Sequence, residues 1–256
     1  MDNVAVCISG LATPSHIAYD TLLKNIERMM RILPYPFFFA QWKGREVALP
    51  YECLLLEEPN PHYHCVADII EGPSCHTWVK YREHKLYSKP ERYGHSKHWT
   101  KQLLSHNRLL DRLPEKYTTI IRLRYDSYLN SSVDWNSLIN EAREENIAIG
   151  GWSPKYGYAG PDEQTQEFNT LKPIRHRPLD CNFCKTEFLW DQCIIHNRSL
   201  MANLETLYEK KQLRAAEWGW HQVLGLQHNK PTKNIENIVL MMRKFHVIPN
   251  LSPEKA

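Results

Sequence analysis

The stretch that decides the fold runs from Val4 to Trp42. It opens with Val4-Ala5-Val6-Cys7-Ile8-Ser9-Gly10, a short apolar, β-branched run closed by a serine and a glycine, which predicts a buried strand. Thr13-Pro14 follows, reading as a helix N-cap with proline at the first helical position. Tyr19, Leu22, Leu23, Ile26, Met29, Met30 and Leu33 then recur at helical spacing, and Pro34 stops the helix. Phe37-Phe38-Phe39-Ala40-Gln41-Trp42 predicts a second strand. Strand, loop, helix and strand in that order form the opening unit of an α/β fold.

Working outward, Glu52–Leu56 predicts a third strand, and residues 59–96, rich in His, Tyr, Pro and Gly, read as a long irregular excursion. Trp99 to Leu113 is helical, with Trp99, Leu103, Leu110 and Leu113 on one stripe. Thr118–Arg124 is a clear strand that ends at Tyr125-Asp126. Asp134 caps a short helix that places Trp135, Leu138, Ile139 and Ala142 on one side. Ile147–Gly151 is the next strand, and residues 152–186 form a second irregular stretch. Gln192–His196 then reads as a strand, and Ser199 as the cap of a helix carrying Leu200, Met201, Leu204, Leu207 and Tyr208. Ala215–Leu226 is a further helix, and Ile238–Met241 an edge strand. With no internal repeat, the pattern predicts a single α/β domain. Its two long loops are of the kind that usually serve a site.

Composition narrows the function classes. The chain has 256 residues, 42% apolar and 24% charged, enough for one packed core. A net charge of +3 is too small to make nucleic acid the main partner, though it leaves room for a locally basic cleft. Nothing approaches the roughly 20 continuous apolar residues that cross a bilayer, and MDNVAVCISG lacks the character of a signal peptide. Seven cysteines without a dense framework read as reduced thiols, so the expectation is a soluble cytoplasmic protein with no transmembrane segment.

Several constellations have chemical potential. Ser9-Gly10, between a strand and a helix N-terminus, lets backbone N–H groups approach a phosphate; a plain tight turn is the alternative. On a strand, Arg122, Arg124 and Asp126 would share one face, at the carboxyl end where open α/β sheets bind ligands. Burying such charges without partners is expensive, so they need a ligand or one another. The planar arginine fork suits a diphosphate, whereas a buried Arg–Asp pair holding a loop is the structural reading. His221, four residues after Glu217, is a candidate metal ligand or half of a helix-surface pair. Trp152, Tyr156 and Tyr158 could stack on a sugar or base, or simply pack their loop. Cys181 and Cys184, with His62, His64, Cys65, Cys75 and His76, offer a structural zinc as an alternative to free thiols and solvent-facing histidines.

The block Arg122-Leu123-Arg124-Tyr125-Asp126 resembles the Arg-x-Arg-x-Asp strand end of GT-A-type glycosyltransferases, especially small viral and bacterial polysaccharide-building ones. The opening VAVCISG resembles their nucleotide-binding first strand. Glu187-Phe188-Leu189-Trp190-Asp191-Gln192 resembles their later acidic segment, which precedes a strand and a helix beginning near a methionine, here Met201. The resemblance implies a Rossmann-like mixed central sheet flanked by helices, with residues 1–115 as a nucleotide-binding half and 116–256 as an acceptor and catalytic half. It implies transfer of a sugar from a nucleoside diphosphate to a glycan hydroxyl. Ser9, Gly10, Arg122, Arg124 and Asp126 would bind the nucleotide sugar, Asp191 would act as base or orient the acceptor (a capping aspartate being its structural alternative), and Trp152, Tyr156 and Gln192 would meet the acceptor. A divalent metal, Mn or Mg, would lie on Asp126, with His221 as a further ligand. The sequence departs from this pattern twice. Tyr128 stands where the metal motif has its second acid, and Leu11-Ala12-Thr13 stands where an arginine is common. A non-catalytic nucleotide- or glycan-binding module and a nucleotidyltransferase therefore remain as alternatives.

Overall fold

The computed structural model describes residues 3–10, 19–57, 96–152, 189–201, 204–209 and 216–241. Its strands are β1 (Val4–Ser9), β2 (Phe37–Trp42), β3 (Cys53–Leu56), β4 (Thr119–Leu123), β5 (Ser127–Leu129), β6 (Ala148–Trp152), β7 (Cys193–Asn197), β8 (Thr232–Glu236) and β9 (Val239–Met241). The helices are α1 (Tyr19–Ile32), α2 (Ser96–Leu110), α3 (Trp135–Glu144), α4 (Leu204–Glu209) and α5 (Ala216–Leu224), with 3₁₀ turns at Arg198–Met201 and Leu226–His228.

A mixed seven-stranded sheet in the order β3-β2-β1-β4-β7-β6-β8 forms the centre. β1 pairs in parallel with β2 and β4, and β2 with β3, so the expected β-α-β opening builds one half of the sheet. β7 runs antiparallel to both β4 and β6, while β8 is parallel to β6. This reversal fixes the position of the site. The carboxyl ends of β1, β4 and β6 and the amino end of β7 all lie along one edge of the sheet.

Side-chain alternation divides the core between the two faces. Val4, Val6 and Ile8 pack with Leu22, Ile26 and Met29 of α1 and Ile139 of α3, whereas Ala5 and Cys7 pack with Leu103 and Leu104 of α2 and Trp220 of α5. Asp134 caps α3 as expected, its Oδ1 accepting from Ser137 N at 3.0 Å.

Three expectations need correction. Ser199 caps no helix; it lies inside the 3₁₀ turn that follows β7 directly. Arg198, the residue before it, donates through its backbone to Thr118 O and through its guanidinium to Leu110 O and Leu113 O, which turns the chain at once. The helix expected over 215–226 ends at Leu224, because Gly225 begins a 3₁₀ turn that closes with Asn229 at φ 52°. Residues 239–241 are not an edge strand of the main sheet: β9 pairs antiparallel with β5 in a separate two-stranded sheet. Asn237, at φ 63°, redirects the chain there after β8, a polar strand that apolar patterning does not predict and that forms one edge of the main sheet. The two long irregular stretches apart from Ser96 and Trp152, which join α2 and β6, lie outside the described residues, as do Thr13-Pro14 and the cysteines and histidines of the zinc alternative. Among those described, no helix is long and apolar enough to cross a membrane.

Candidate active site

Strand β4 ends at Leu123, and the next four residues form a turn in which Ser127 N donates to Arg124 O at 3.1 Å. Ser127 anchors the turn from both sides. Its Oγ accepts from Arg124 N at 3.0 Å and donates to Gln192 O at 2.7 Å. Its carbonyl accepts from Asn25 Nδ2 of α1 at 2.8 Å. Residues from three distant parts of the chain thus fix one corner of the sheet edge.

The corner carries the charges. Arg124 donates through Nε to Asp126 Oδ1 at 2.7 Å and through Nη2 to Asp126 Oδ2 at 2.9 Å, a bidentate fork of the strong, directional kind. Its Nη1 lies 3.6 Å from Asp191 Oδ2. One guanidinium therefore bridges the two carboxylates that the sequence singled out. The Arg124 side chain is 25% exposed, against 5% for Asp126 and 8% for Asp191, so the arginine is the member of the cluster that solvent reaches.

Arg122 has a different setting. The period-two alternation that would place it beside Arg124 and Asp126 stops where β4 gives way to the turn. Its side chain is fully buried on the α2 and α5 face, donating to the backbone carbonyl of Asp191 through Nη1 and to Gln102 Oε1 of α2 through Nη2 at 2.9 Å. The guanidinium carbon sits 5.1 Å from the Trp220 ring centroid. Burial pushes its pKa down to about 10, with Asp191 opposing the fall, so it keeps its charge at neutral pH. The expectation that Arg122 contacts a diphosphate is corrected accordingly, because its two terminal nitrogens already serve the protein. Asp126, expected with Arg122 and Arg124 on one face, is closed over by Arg124 alone.

Ser9, at the end of β1, is 1% exposed, and its Oγ lacks a hydrogen-bond partner. Gly10 follows at φ +123° with open space where a Cβ would stand, a conformation that favours glycine. Gln192, 8% exposed, also has an unpartnered Oε1 and joins the corner through its carbonyl. Buried polar atoms of this kind are uncommon, and each asks for a partner. The backbone of Trp152 ends β6 at the same sheet edge; its side chain, Tyr156 and the side chain of Glu217 lie outside the described residues.

The described donors do not fit a divalent metal. Both oxygens of Asp126 face the Arg124 guanidinium, so a cation there would meet a positive charge. Tyr128 brings no carboxylate, and its ring lies under Arg28, whose guanidinium carbon is 3.9 Å from the centroid. His221 is 4% exposed, and its Nδ1 shares a 2.9 Å hydrogen bond with Thr232 Oγ1 of β8. Among the described residues, no group of three or more His, Cys, Asp or Glu gathers to hold a metal.

Gln102, Ser127 and Asn25 are site residues that the sequence reading missed. A signal existed for Gln102, since it and His106 interrupt the apolar stripe of α2 with polar side chains at helical spacing. Ser127 and Asn25 gave none.

No family model matches the chain, and no curated protein matches it. Among solved structures, the inositol-1-phosphate CTP transferase of T. maritima is similar over 95% of this chain and 89% of its own, at 10% identity and a TM-score of 0.44. Core-mannan synthase A of Aspergillus fumigatus, in a Mn/GDP form, is similar over 93% of this chain and 73% of its own, at 12% identity and a TM-score of 0.45. A glycosyltransferase involved in glycosylation of the major capsid of PBCV-1 is similar over 91% and 81%, at 9% identity and a TM-score of 0.36. Likenesses this distant leave the functional reading to the site itself.

Proposed function

We propose that the chain is a glycosyltransferase that moves a sugar from a nucleoside-diphosphate sugar to a hydroxyl of a glycan acceptor. The observation that carries this reading is the Arg124 guanidinium bridging Asp126 and Asp191 at the sheet edge. Glycosyl transfer develops positive charge on the sugar and negative charge on the departing diphosphate. A partly exposed arginine stabilises the leaving group, and a carboxylate nearby takes the acceptor proton.

In this mechanism the donor enters on the 1–115 half, beside Ser9 and Gly10, and Arg124 exchanges Asp126 for diphosphate oxygens. Asp126, released on the donor side, accepts hydrogen bonds from sugar hydroxyls. The acceptor lies on the 116–256 half, against Gln192, Trp152 and Tyr156. Its hydroxyl oxygen bonds to the anomeric carbon as the carbon–diphosphate bond breaks, and Asp191 takes the hydroxyl proton. Cys7, Cys53 and Cys193 are free thiols, in keeping with work in a reducing cytosol.

A second reading, a non-catalytic nucleotide- or glycan-binding module, is favoured by one observation: Arg124 closes both oxygens of Asp126. One experiment separates the two readings. UDP, GDP and their sugars are titrated by calorimetry with and without manganese, and turnover is followed on a panel of glycans. Asp126→Ala is expected to abolish donor binding, and Asp191→Asn to keep binding and lose transfer. Absence of binding by any nucleotide sinks the glycosyltransferase reading, and binding without transfer or slow donor hydrolysis leaves the module.

A further inference from the structure

Arg122 is an unusual occupant of a core. It is 0% exposed, forms no ion pair among the described residues, and spends its two terminal nitrogens on neutral acceptors. Its Nε has no hydrogen-bond partner among the described residues. A buried charge is expensive to desolvate, and well-packed apolar side chains of the same volume usually serve stability as well or better. Stability alone therefore gives a poor account of this residue. What it does provide is direction.

We propose that Gln102 and Arg122 are positioning residues that aim the Asp191 carboxylate. The inference rests on the reading of Asp191 as the base. Asp191 lies ahead of β7, outside its regular ladder and joined to Gly151 by a single bridge. Arg122 Nη1 draws the Asp191 carbonyl inward, towards α2 and α5. With the carbonyl fixed, the peptide plane between residues 191 and 192 is fixed too, because that unit is rigid. The side chain is then held on the outer side, where its Oδ2 lies 3.6 Å from Arg124. Gln102 completes the tie, since its Oε1 fixes the other arm of the guanidinium at 2.9 Å. The same helix grips β7 a second time one turn later, where His106 Nε2 and His196 Nε2 lie 3.0 Å apart. Arg122 and Gln102 touch no reacting atom; they act through Asp191.

The test uses Gln102→Leu and Gln102→Glu in the full chain, because Gln102 can be changed without removing the buried charge. Gln102→Leu is expected to speed amide exchange at least tenfold in the peptide covering residues 189–193, with β1 and β4 unaffected. Transfer is expected to show kcat falling about ten- to a hundredfold, the order of loss that misplacing a reacting group brings. Donor affinity is expected to stay within about twofold of the parent, since the residue does not touch the donor side. Gln102→Glu, which offers Arg122 the same acceptor, is expected to restore both exchange and kcat. Unchanged exchange in Gln102→Leu overturns the proposal. So do donor affinity falling in step with kcat, and Gln102→Glu behaving no better than Gln102→Leu. Amide exchange judges the tie even if no nucleotide sugar binds the parent, so its failure and that of the glycosyltransferase reading are told apart.

Discussion

Arg124 has two jobs that pull against each other. In the free protein it pairs with two nearly buried carboxylates, and in the proposed reaction it must release Asp126 to meet a diphosphate. Removing one partner of a buried ion pair costs about 3–5 kcal/mol, because the other charge is left without compensation. Arg124→Ala is therefore expected to lower unfolding stability in urea by that order. The double variant Arg124→Ala with Asp126→Ala is expected to regain part of the loss, Asp191 being still without its partner, and to bind no donor. Equal stability of the single and double variants would show that the pair is not what holds the corner. Much of this site was legible in the sequence: charges on an apolar strand advertise themselves, and so do Asp191-Gln192 before an apolar run. What could not be read was which arginine meets which acid. That depends on a turn beginning at Arg124, fixed by Ser127 and Asn25, whose short neutral side chains carry no pattern.

At the scale of elements, apolar periodicity located nearly every strand and helix described, while direction and partnership escaped it. Cys193–Asn197 is apolar enough to be found as a strand, yet only tertiary pairing makes it antiparallel and brings Asp191 to the edge shared with Asp126. Thr232–Glu236 was missed because it is polar and at the sheet margin, where alternation has little to bury. Gly150 and Gly151 show how tightly β6 meets its neighbours. A Cβ on Gly150 would stand 2.6 Å from Asn234 Oδ1 and 2.8 Å from Trp190 N, the two ends of a 2.9 Å hydrogen bond that seats the segment leading to Asp191. Gly150→Ala must break that bond or displace the segment. A loss of about 1–3 kcal/mol is expected from such overpacking, accompanied by a fall in transfer with donor affinity kept. An alanine variant as stable and as active as the parent would mean that the segment yields without consequence.

Across the whole molecule, stability is expected to depend on pH through two histidines sealed between the sheet and α2. His106 and His196 are both fully buried. His196 Nδ1 faces Asn197 O at 2.9 Å and acts as donor there, so its Nε2 accepts from His106 Nε2–H at 3.0 Å. That pattern needs His196 neutral, and with His106 neutral as well its Nδ1 is a buried acceptor with no partner among the described residues. Burial pushes His106 well below 6.5, with His196 and Arg122 adding to the fall. His196 is pushed down to about 4, again by burial first, with its bond to Asn197 opposing and Arg122 assisting. The sign follows from proton counting. Below pH 6.5 the unfolded chain binds protons on both histidines while the folded chain refuses them, so stability is whole above 6.5 and drains as the pH falls towards 4. Each histidine contributes a slope of up to about 1.4 kcal/mol per pH unit in that window. Urea unfolding at pH 7.5, 6.0 and 5.0 measures this directly, with His106→Gln/His196→Gln as the comparison. The double variant keeps polar side chains at both positions but cannot titrate, and its profile is expected to be flatter. Parallel profiles would instead assign the acid sensitivity to carboxylates elsewhere, leaving the histidine pair as packing alone.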